Sequence, residues 1–490
     1  MSRRVIVLSR SLFALFLFVV LLTSFVQAQN ASSAKPFSGG YLAARAFHEG
    51  KFSFVNSGYN PLAVEPNALT CSPAPCIFKS VDASEGGAGA VNEDPVAVNP
   101  NNPQQILTGG NDFNCVNVQG FFATSDGGTT WSRKCSPGSG GQGDPIVGYD
   151  LNNVAYAGGI QNFSVVDFIS KDNGKTWGNP ITVITPVLGY LADKPWLEVD
   201  VNANSPRKNS IYVSTTQFDF SSGSQIWVSN STDGGKTWNS TAVSTKQTFP
   251  TNVDQFSDLA VGADGTVYLS WLRCPAAASG ICGGELSQIM FSRSKDGGKT
   301  WSKEKVAGTV TLVPSSCGAF YGCLPNTFER VSNIASNTVT GVGATAQVYI
   351  SVYNWTGSQM QVEVLGSKNG GQTWGAPVLV TPGSKGDQFF QWANVSKNGK
   401  LLAVTWLDRR NDPNNLMYQP FYAISKDGGQ TFGKAVALTG TKSNPNNDGR
   451  GGSFIGDYRT HVWSGSSIIA VWMDTRTNTS QDEVGGVKLH

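Results

Sequence analysis

The chain has 490 residues, of which 40% are hydrophobic and 14% charged, with a formal net charge of +2. Three of its 36 basic residues (Arg3, Arg4 and Arg10) and none of its 34 acidic ones lie in the first 28 positions, so the remainder carries about −1. This balance excludes a polyanion-binding surface written into the bulk charge, and no basic run compensates, so nucleic acid is not an expected partner.

The first element in chain order is an export-type leader. Three arginines precede an apolar run over residues 12–25, and Val26-Gln27-Ala28 supplies a small-residue cleavage site. The run is shorter than the roughly 20 residues that cross a bilayer comfortably. Residues 1–28 are therefore expected to be a signal peptide, with an uncleaved signal anchor as the alternative and no stable membrane insertion. The rest is expected to be secreted, extracellular or periplasmic, and monomeric. Eight cysteines fall in four close sequence pairs: Cys71 with Cys76, Cys115 with Cys135, Cys274 with Cys282, and Cys317 with Cys323. In an exported chain this spacing predicts local disulfides that staple loops, whereas no Cys-x-x-Cys pair points to zinc.

From residue 91 a strand–turn–strand unit recurs around the pattern Ser/Thr-x-Asp-x-Gly-x-Thr-Trp. It occupies residues 124–131, 170–177, 231–238 and 294–301, then in altered form 367–374, with Asn369 in the Asp place, and 425–432, with Phe432 in the Trp place. The aromatic positions are spaced by 46, 61, 63, 73 and 58 residues. An Asp carboxylate accepts N–H groups within its own loop, glycine takes positive φ without a Cβ penalty, and Thr-Trp starts the next strand. Each copy follows a strand-like run such as Gln225-Ile226-Trp227-Val228, and a second strand pair lies between copies, for example Asp258-Leu259-Ala260-Val261 with Thr266-Val267-Tyr268-Leu269. Two strands plus two strands per repeat predict an all-β propeller of four-stranded antiparallel blades over residues 91–490. After the sixth copy a seventh inner pair appears without the turn motif, at residues 456–462 and 467–472, followed by a short strand at 484–489. Seven blades are favoured and six are the alternative. Residues 29–90 are expected to be a disulfide-stapled segment that lends the last blade a closing strand, at 51–55, and so removes free sheet edges.

The repeated motif resembles the Asp-box, or BNR-repeat, superfamily of sialidase-like β-propellers. That resemblance covers roughly residues 91–490 and is specific for fold far more than for reaction. It implies that Asp126, Asp172, Asp233, Asp296 and Asp427 shape peripheral turns away from any substrate. It also implies an arginine trio that clamps a substrate carboxylate, a Tyr nucleophile activated by Glu, and an Asp acid/base. The early Arg-Ile-Pro type motif of sialidases is absent from this chain.

Blade topology places candidate site residues before first strands and after second strands, on the face opposite the repeated turns. The first group holds Glu93, Asp94, Asp144, Asp193, Lys194, Asp254, Asp258, Glu329, Arg330, Asp387, Asp457, Tyr458 and Arg459; the second holds Asp112, Asp219, Arg273, Asp408, Arg409, Arg410, Asp474 and Arg476. The repetition of Asp408-x-Arg410 and Asp474-x-Arg476 at equivalent places points to architecture. Strand alternation would put Asp457 and Arg459 on one face and Tyr458 and Thr460 on the other. Tyr458, Glu329 and Asp193 are the candidate catalytic residues, and Arg330, Arg410, Arg459 and Arg476 the candidates to grip a carboxylated sugar. His461 is expected to be a core or loop histidine. No cofactor is expected, although an acidic ring of this kind suits Ca²⁺.

The function expected is action on, or binding of, extracellular glycans, as a glycoside hydrolase of sialidase type if the chain is an enzyme. A non-catalytic glycan- or protein-binding propeller is the alternative. A polysaccharide lyase using Tyr458 or His461 as base on a uronate is a second alternative.

Overall fold

The computed structural model describes residues 35–63, 69, 71–275 and 281–490; the leader lies outside them. Seven antiparallel sheets surround one axis, which decides the blade count in favour of seven. Blade 1 runs from Val91–Asn92 and Val96–Asn99 on the inside through Asn102–Asp112 and Gly120–Thr124 to Ser132–Cys135. Blades 2 to 6 have as inner strands Ile146–Tyr149, Leu191–Val199, Asn252–Val261, Ser336–Thr340 and Gln388–Val395, each followed outward by its three sequence successors. Blade 7 has His461–Ser464, Ser467–Asp474 and Gln481–Lys488.

The outer strand of blade 7 comes from the other end of the chain. Cys76–Ile77 and Val81–Asp82 both pair antiparallel with Gln481–Lys488, with Cys76 opposite Lys488 and Val81 opposite Val484. The expected closing strand at 51–55 does not take this place: Val55 forms only an isolated bridge to Gly89. The two short strands at 76–77 and 81–82 lie along the buried strand Gln481–Lys488 and are tied by the Cys71–Cys76 disulfide, whereas Lys51, Phe52 and Ser53 are exposed. The remaining disulfides join Cys115 to Cys135, Cys274 to Cys282 and Cys317 to Cys323, and no described cysteine is free.

The repeated turns are built as their residue types require. In the third copy, Asp233 Oδ1 accepts the N–H groups of Lys236 and Thr237 at 3.0 Å, and Oδ2 accepts the Thr237 hydroxyl. The Ser231 hydroxyl donates to Asp233 and accepts from the Gly235 N–H. Gly234 and Gly235 have φ of 76° and 81°, where a Cβ would strain the backbone. The Thr237 hydroxyl bond and its backbone N–H hold the Asp233 carboxyl at about 2. Between blades the core is filled by large side chains, including the fully buried Trp271, Trp406 and Trp472 on second strands. Each buries roughly 200 Å² of mostly apolar surface, so aromatic layers join adjacent blades alongside buried hydrogen bonds such as those of Asn337 in blade 5 to Asp258 and Ser270 in blade 4.

Among the described residues, helix is confined almost entirely to α1 (Gly39–His48), which belongs to no sheet. Ser38 caps it, accepting the Tyr41 N–H on its hydroxyl. No described helix is long and apolar enough to cross a membrane.

Candidate functional site

The inner strands begin with a shared irregularity. Pairing with the second strand skips two residues between Asp193 and Trp196, between Gln255 and Asp258, and between Phe389 and Trp392. Lys194, Phe256 and Phe390, inside these skips, have φ of 46°, 60° and 49°, and Asp144 matches them at 57°. Such bulges re-aim side chains and concentrate next to sites. Here they turn residues from several blades toward one axis, on the face opposite the repeated turns.

Glu93 of blade 1, Asp144 of blade 2, Asp193 and Lys194 of blade 3, and Asp457 of blade 7 meet at that axis, all fully buried. Glu93 Oε2 accepts the Asn111 amide and Oε1 the Asp457 N–H, while Asp144 Oδ2 accepts the Lys194 N–H. The Lys194 ammonium sits 3.8 Å from the centre of the Tyr458 ring and 4.9 Å from that of Trp196. Arg330 pairs with Asp457 at 3.0 Å and lies over the Tyr321 ring. Below the cluster Trp196 and Trp392 approach to 4.6 Å between ring centres and close it off from a channel of about 620 Å³. First-to-second strand turns such as Pro100, Gly341, Lys397 and Gly465 line that channel, so it opens on the opposite face.

Burial dominates the electrostatics. It pushes the Glu93 carboxyl well up, and repulsion from Asp144 and Asp457 adds to it. Burial and then Asp144 hold Asp193 at about 7, and burial lowers the Lys194 ammonium against the pull of its acidic neighbours. Repulsion from Asp144 thus favours the protonated form of Glu93 beside it. Such a pair supplies an acid and a base in one place.

Of the residues singled out from sequence, the structure brings Asp193, Arg330 and Tyr458 to this cluster. Tyr458 is fully buried, donates its hydroxyl to the Pro145 carbonyl at 2.8 Å, and is pushed well up by burial and then by Glu93. Glu329 is engaged elsewhere: it accepts the Ile455 N–H at 2.9 Å and faces Asp448 and Arg450. The Tyr458–Glu329 pair is thus not formed. Arg410 and Arg476 fold back onto Asp408 and Asp474, two residues earlier in their own chain, as equivalent braces in blades 6 and 7. Arg459 points into the interior, where it donates to the Phe390 and Val471 carbonyls and faces Asp94. The four arginines therefore do not converge. Strand alternation does not govern residues 456–460 either, because the inner strand of blade 7 starts only at His461 and Arg459 makes a single bridge, to Asp94. His461 lies between blades 6 and 7, with its Nδ1 2.9 Å from the Thr405 hydroxyl.

The sequence lists Lys194 among the charges without a role, and its expectation for residues 29–90, a disulfide-stapled segment with a closing strand, gives residues 36–39 no place in the site. Pro36, Phe37, Ser38 and Gly39 sit directly on the cluster, and their main-chain groups are bonded by Tyr321, Arg330, Asp193 and Asp457. A helix cap followed by two glycines was the available signal. Among the described residues, no group of three or more His, Cys, Asp or Glu side chains is arranged to hold a metal ion.

No family model matches the chain, and no curated protein matches it in sequence. Solved structures do match in fold. A polysaccharide lyase of the ulvan lyase family PL25 aligns at 12% identity over 84% of this chain and 96% of that one, with a TM-score of 0.51. A Hadza microbial sialidase aligns at 14% identity over 67% of this chain and 66% of that one, with a TM-score of 0.40. An α-L-arabinofuranosidase from Fusarium graminearum aligns at 12% identity over 70% and 92%, with a TM-score of 0.41. The chain is similar to these propellers in architecture.

Proposed function

We propose that the chain is a secreted propeller that acts on extracellular glycans, with the axial funnel on the strand-start face as the ligand site. The observation that carries this reading is the convergence of Glu93, Asp144, Asp193 and Asp457 from four blades around Lys194 and Arg330. A structural hub has no need of so many buried charges, since each costs desolvation that apolar packing would avoid. For a glycosidic bond the arrangement offers a protonated carboxyl as acid, a neighbouring carboxylate as base, and Arg330 for a sugar carboxylate. Phe163, Tyr190 and Phe220 form a partly exposed aromatic lip nearby, of the kind that packs on sugar faces. Because Tyr458 and Glu329 are engaged separately, the carboxylate pair is favoured over a Tyr nucleophile. The polysaccharide-lyase and glycosidase propellers of like fold make glycans the first ligands to test.

The test is a release assay on sialosides and uronic-acid polysaccharides, with wild type, Asp193→Asn and Glu93→Gln. Turnover in wild type that falls at least about 100-fold in Glu93→Gln is expected for loss of an acid/base group. Background release from every substrate rejects hydrolysis, and products absorbing in the ultraviolet identify a lyase instead. The occupation of the funnel by residues 36–39 favours one second reading, a non-catalytic binding propeller; glycan-array binding without turnover identifies it.

A further inference from the structure

The same funnel is a receptor for a peptide segment, and it is filled. Five main-chain polar groups of residues 36–39 have partners. Tyr321 donates its hydroxyl to the Pro36 carbonyl at 2.8 Å, and Gln255 donates to it at 3.3 Å. Arg330 Nη1 donates to the Phe37 carbonyl at 2.8 Å. Asp193 accepts both the Ser38 N–H at 2.7 Å and its hydroxyl at 2.8 Å, Asp457 accepts the Gly39 N–H at 2.6 Å, and the Ser38 carbonyl takes the Leu42 N–H inside α1. The Phe37 side chain enters a socket of Tyr41, Tyr190 and Phe218, with ring centres 5.0 to 5.6 Å away.

The fit tolerates no side chain at the next two positions. A Cβ on Gly39 would lie 2.1 Å from the Phe454 ring, and one on Gly40 would lie 2.2 Å from Asp144 and 2.3 Å from Glu93. The peptide therefore reaches the carboxylates that carry the proposed chemistry. Yet the sheets close without it, because the closing strands at 76–77 and 81–82 lie downstream and residues 36–48 belong to no sheet, although Phe37 and Tyr41 pack into the main core. The link between them is exposed at residues 49–53. Withdrawal also leaves Arg330 paired with Asp457, so the vacated site retains its internal ion pair.

We propose that residues 36–40, carried into α1, are a cis-acting plug: the funnel recognises the main-chain groups of this segment and admits an outside ligand only when it withdraws. That the excluded ligand is a glycan rests on the functional reading above; the plug itself does not.

Two alterations of the full-length chain test it. Gly40→Val should expel the segment, raising hydrogen exchange of the residue 38–45 amides by roughly 100-fold while blade amides keep their protection. Because that variant strains the fold, a protease site inserted between Lys51 and Phe52 provides a second route with the plug sequence intact. After cutting, a fluorescent synthetic peptide of residues 35–49 should exchange into the funnel within hours and compete with the resident segment. Blade amides that lose protection together with residues 38–45, or a cut chain that never takes up the peptide, overturn the plug. Peptide exchange with no gain in glycan binding or release leaves the plug standing and counts against the glycan reading.

Discussion

Lys194 is the sharpest place to test the electrostatics of the funnel. Its ammonium is fully buried and faces Glu93, Asp144, Asp457 and Asp258. Lys194→Met keeps the length of the side chain and its packing on Tyr458 and Trp196 but removes the positive charge that acts on Asp144. Removing one partner of a buried ionic group costs about 3–5 kcal/mol, because the remaining charges are left uncompensated. The cost has a defined pH dependence. The Glu93 and Asp144 carboxyls are already raised in the folded chain by burial, and loss of Lys194 raises them further. A raised carboxyl contributes stability that is fully present below its unfolded value of about 4 and is lost as pH rises through the folded one. The deficit of Lys194→Met should therefore be small near pH 4 and approach its full value near pH 8. Chemical denaturation of variant and wild type at both pH values measures it. An equal deficit at the two pH values, or a variant more stable at pH 8, refutes the assignment of Lys194 as the counter-charge of the cluster.

The same linkage extends to the wild-type chain. Burial holds Asp258 and Glu483 at about 8 and Asp193 at about 7, so thermal stability should be higher at pH 5 than at pH 8, and a flat profile over that window would contradict these environments. Trp406 is fully buried and donates its indole N–H to Asp408 at 2.6 Å; Trp406→Ala should cost about 3–5 kcal/mol in denaturant unfolding, against little for Trp406→Phe if the ring alone mattered. Replacing Cys115 and Cys135 by serine opens a loop of 20 residues, which should lower stability by about 3 kcal/mol, read as a shift in denaturation midpoint. Asp233→Ala removes the acceptor of two turn N–H groups at an exposed site, and should cost only about 1 kcal/mol; a loss several times larger would mean that the turn is more than local.

The legible part of this chain was local. Ser/Thr, Asp, Gly and Thr-Trp at fixed offsets specify a turn whose hydrogen bonds close within eight residues, so six copies in series marked the blades, and alternating strand pairs marked the rest. The four cysteine pairs were legible for the same reason, each bridging at most 20 residues. The braces Asp408–Arg410 and Asp474–Arg476 are equally local; their repetition pointed to architecture, although Arg410 and Arg476 were also read as candidates to grip a sugar. The site was not legible in this way. Charges before first strands could be gathered on one face, but nothing in their spacing showed that Glu329 turns to Ile455 while Asp457 turns to Arg330, or that Arg459 points inward to the Phe390 carbonyl.

The sequence by itself determined a propeller, its turns, its staples and the face on which charge collects, because each follows from contacts between near neighbours in the chain. Only the tertiary structure decided which carboxylates meet at the axis, which strand closes the ring and what fills the funnel. Those contacts join residues up to 418 positions apart, as between Gly39 and Asp457. They depend on bulges, blade angles and close packing that no local pattern encodes.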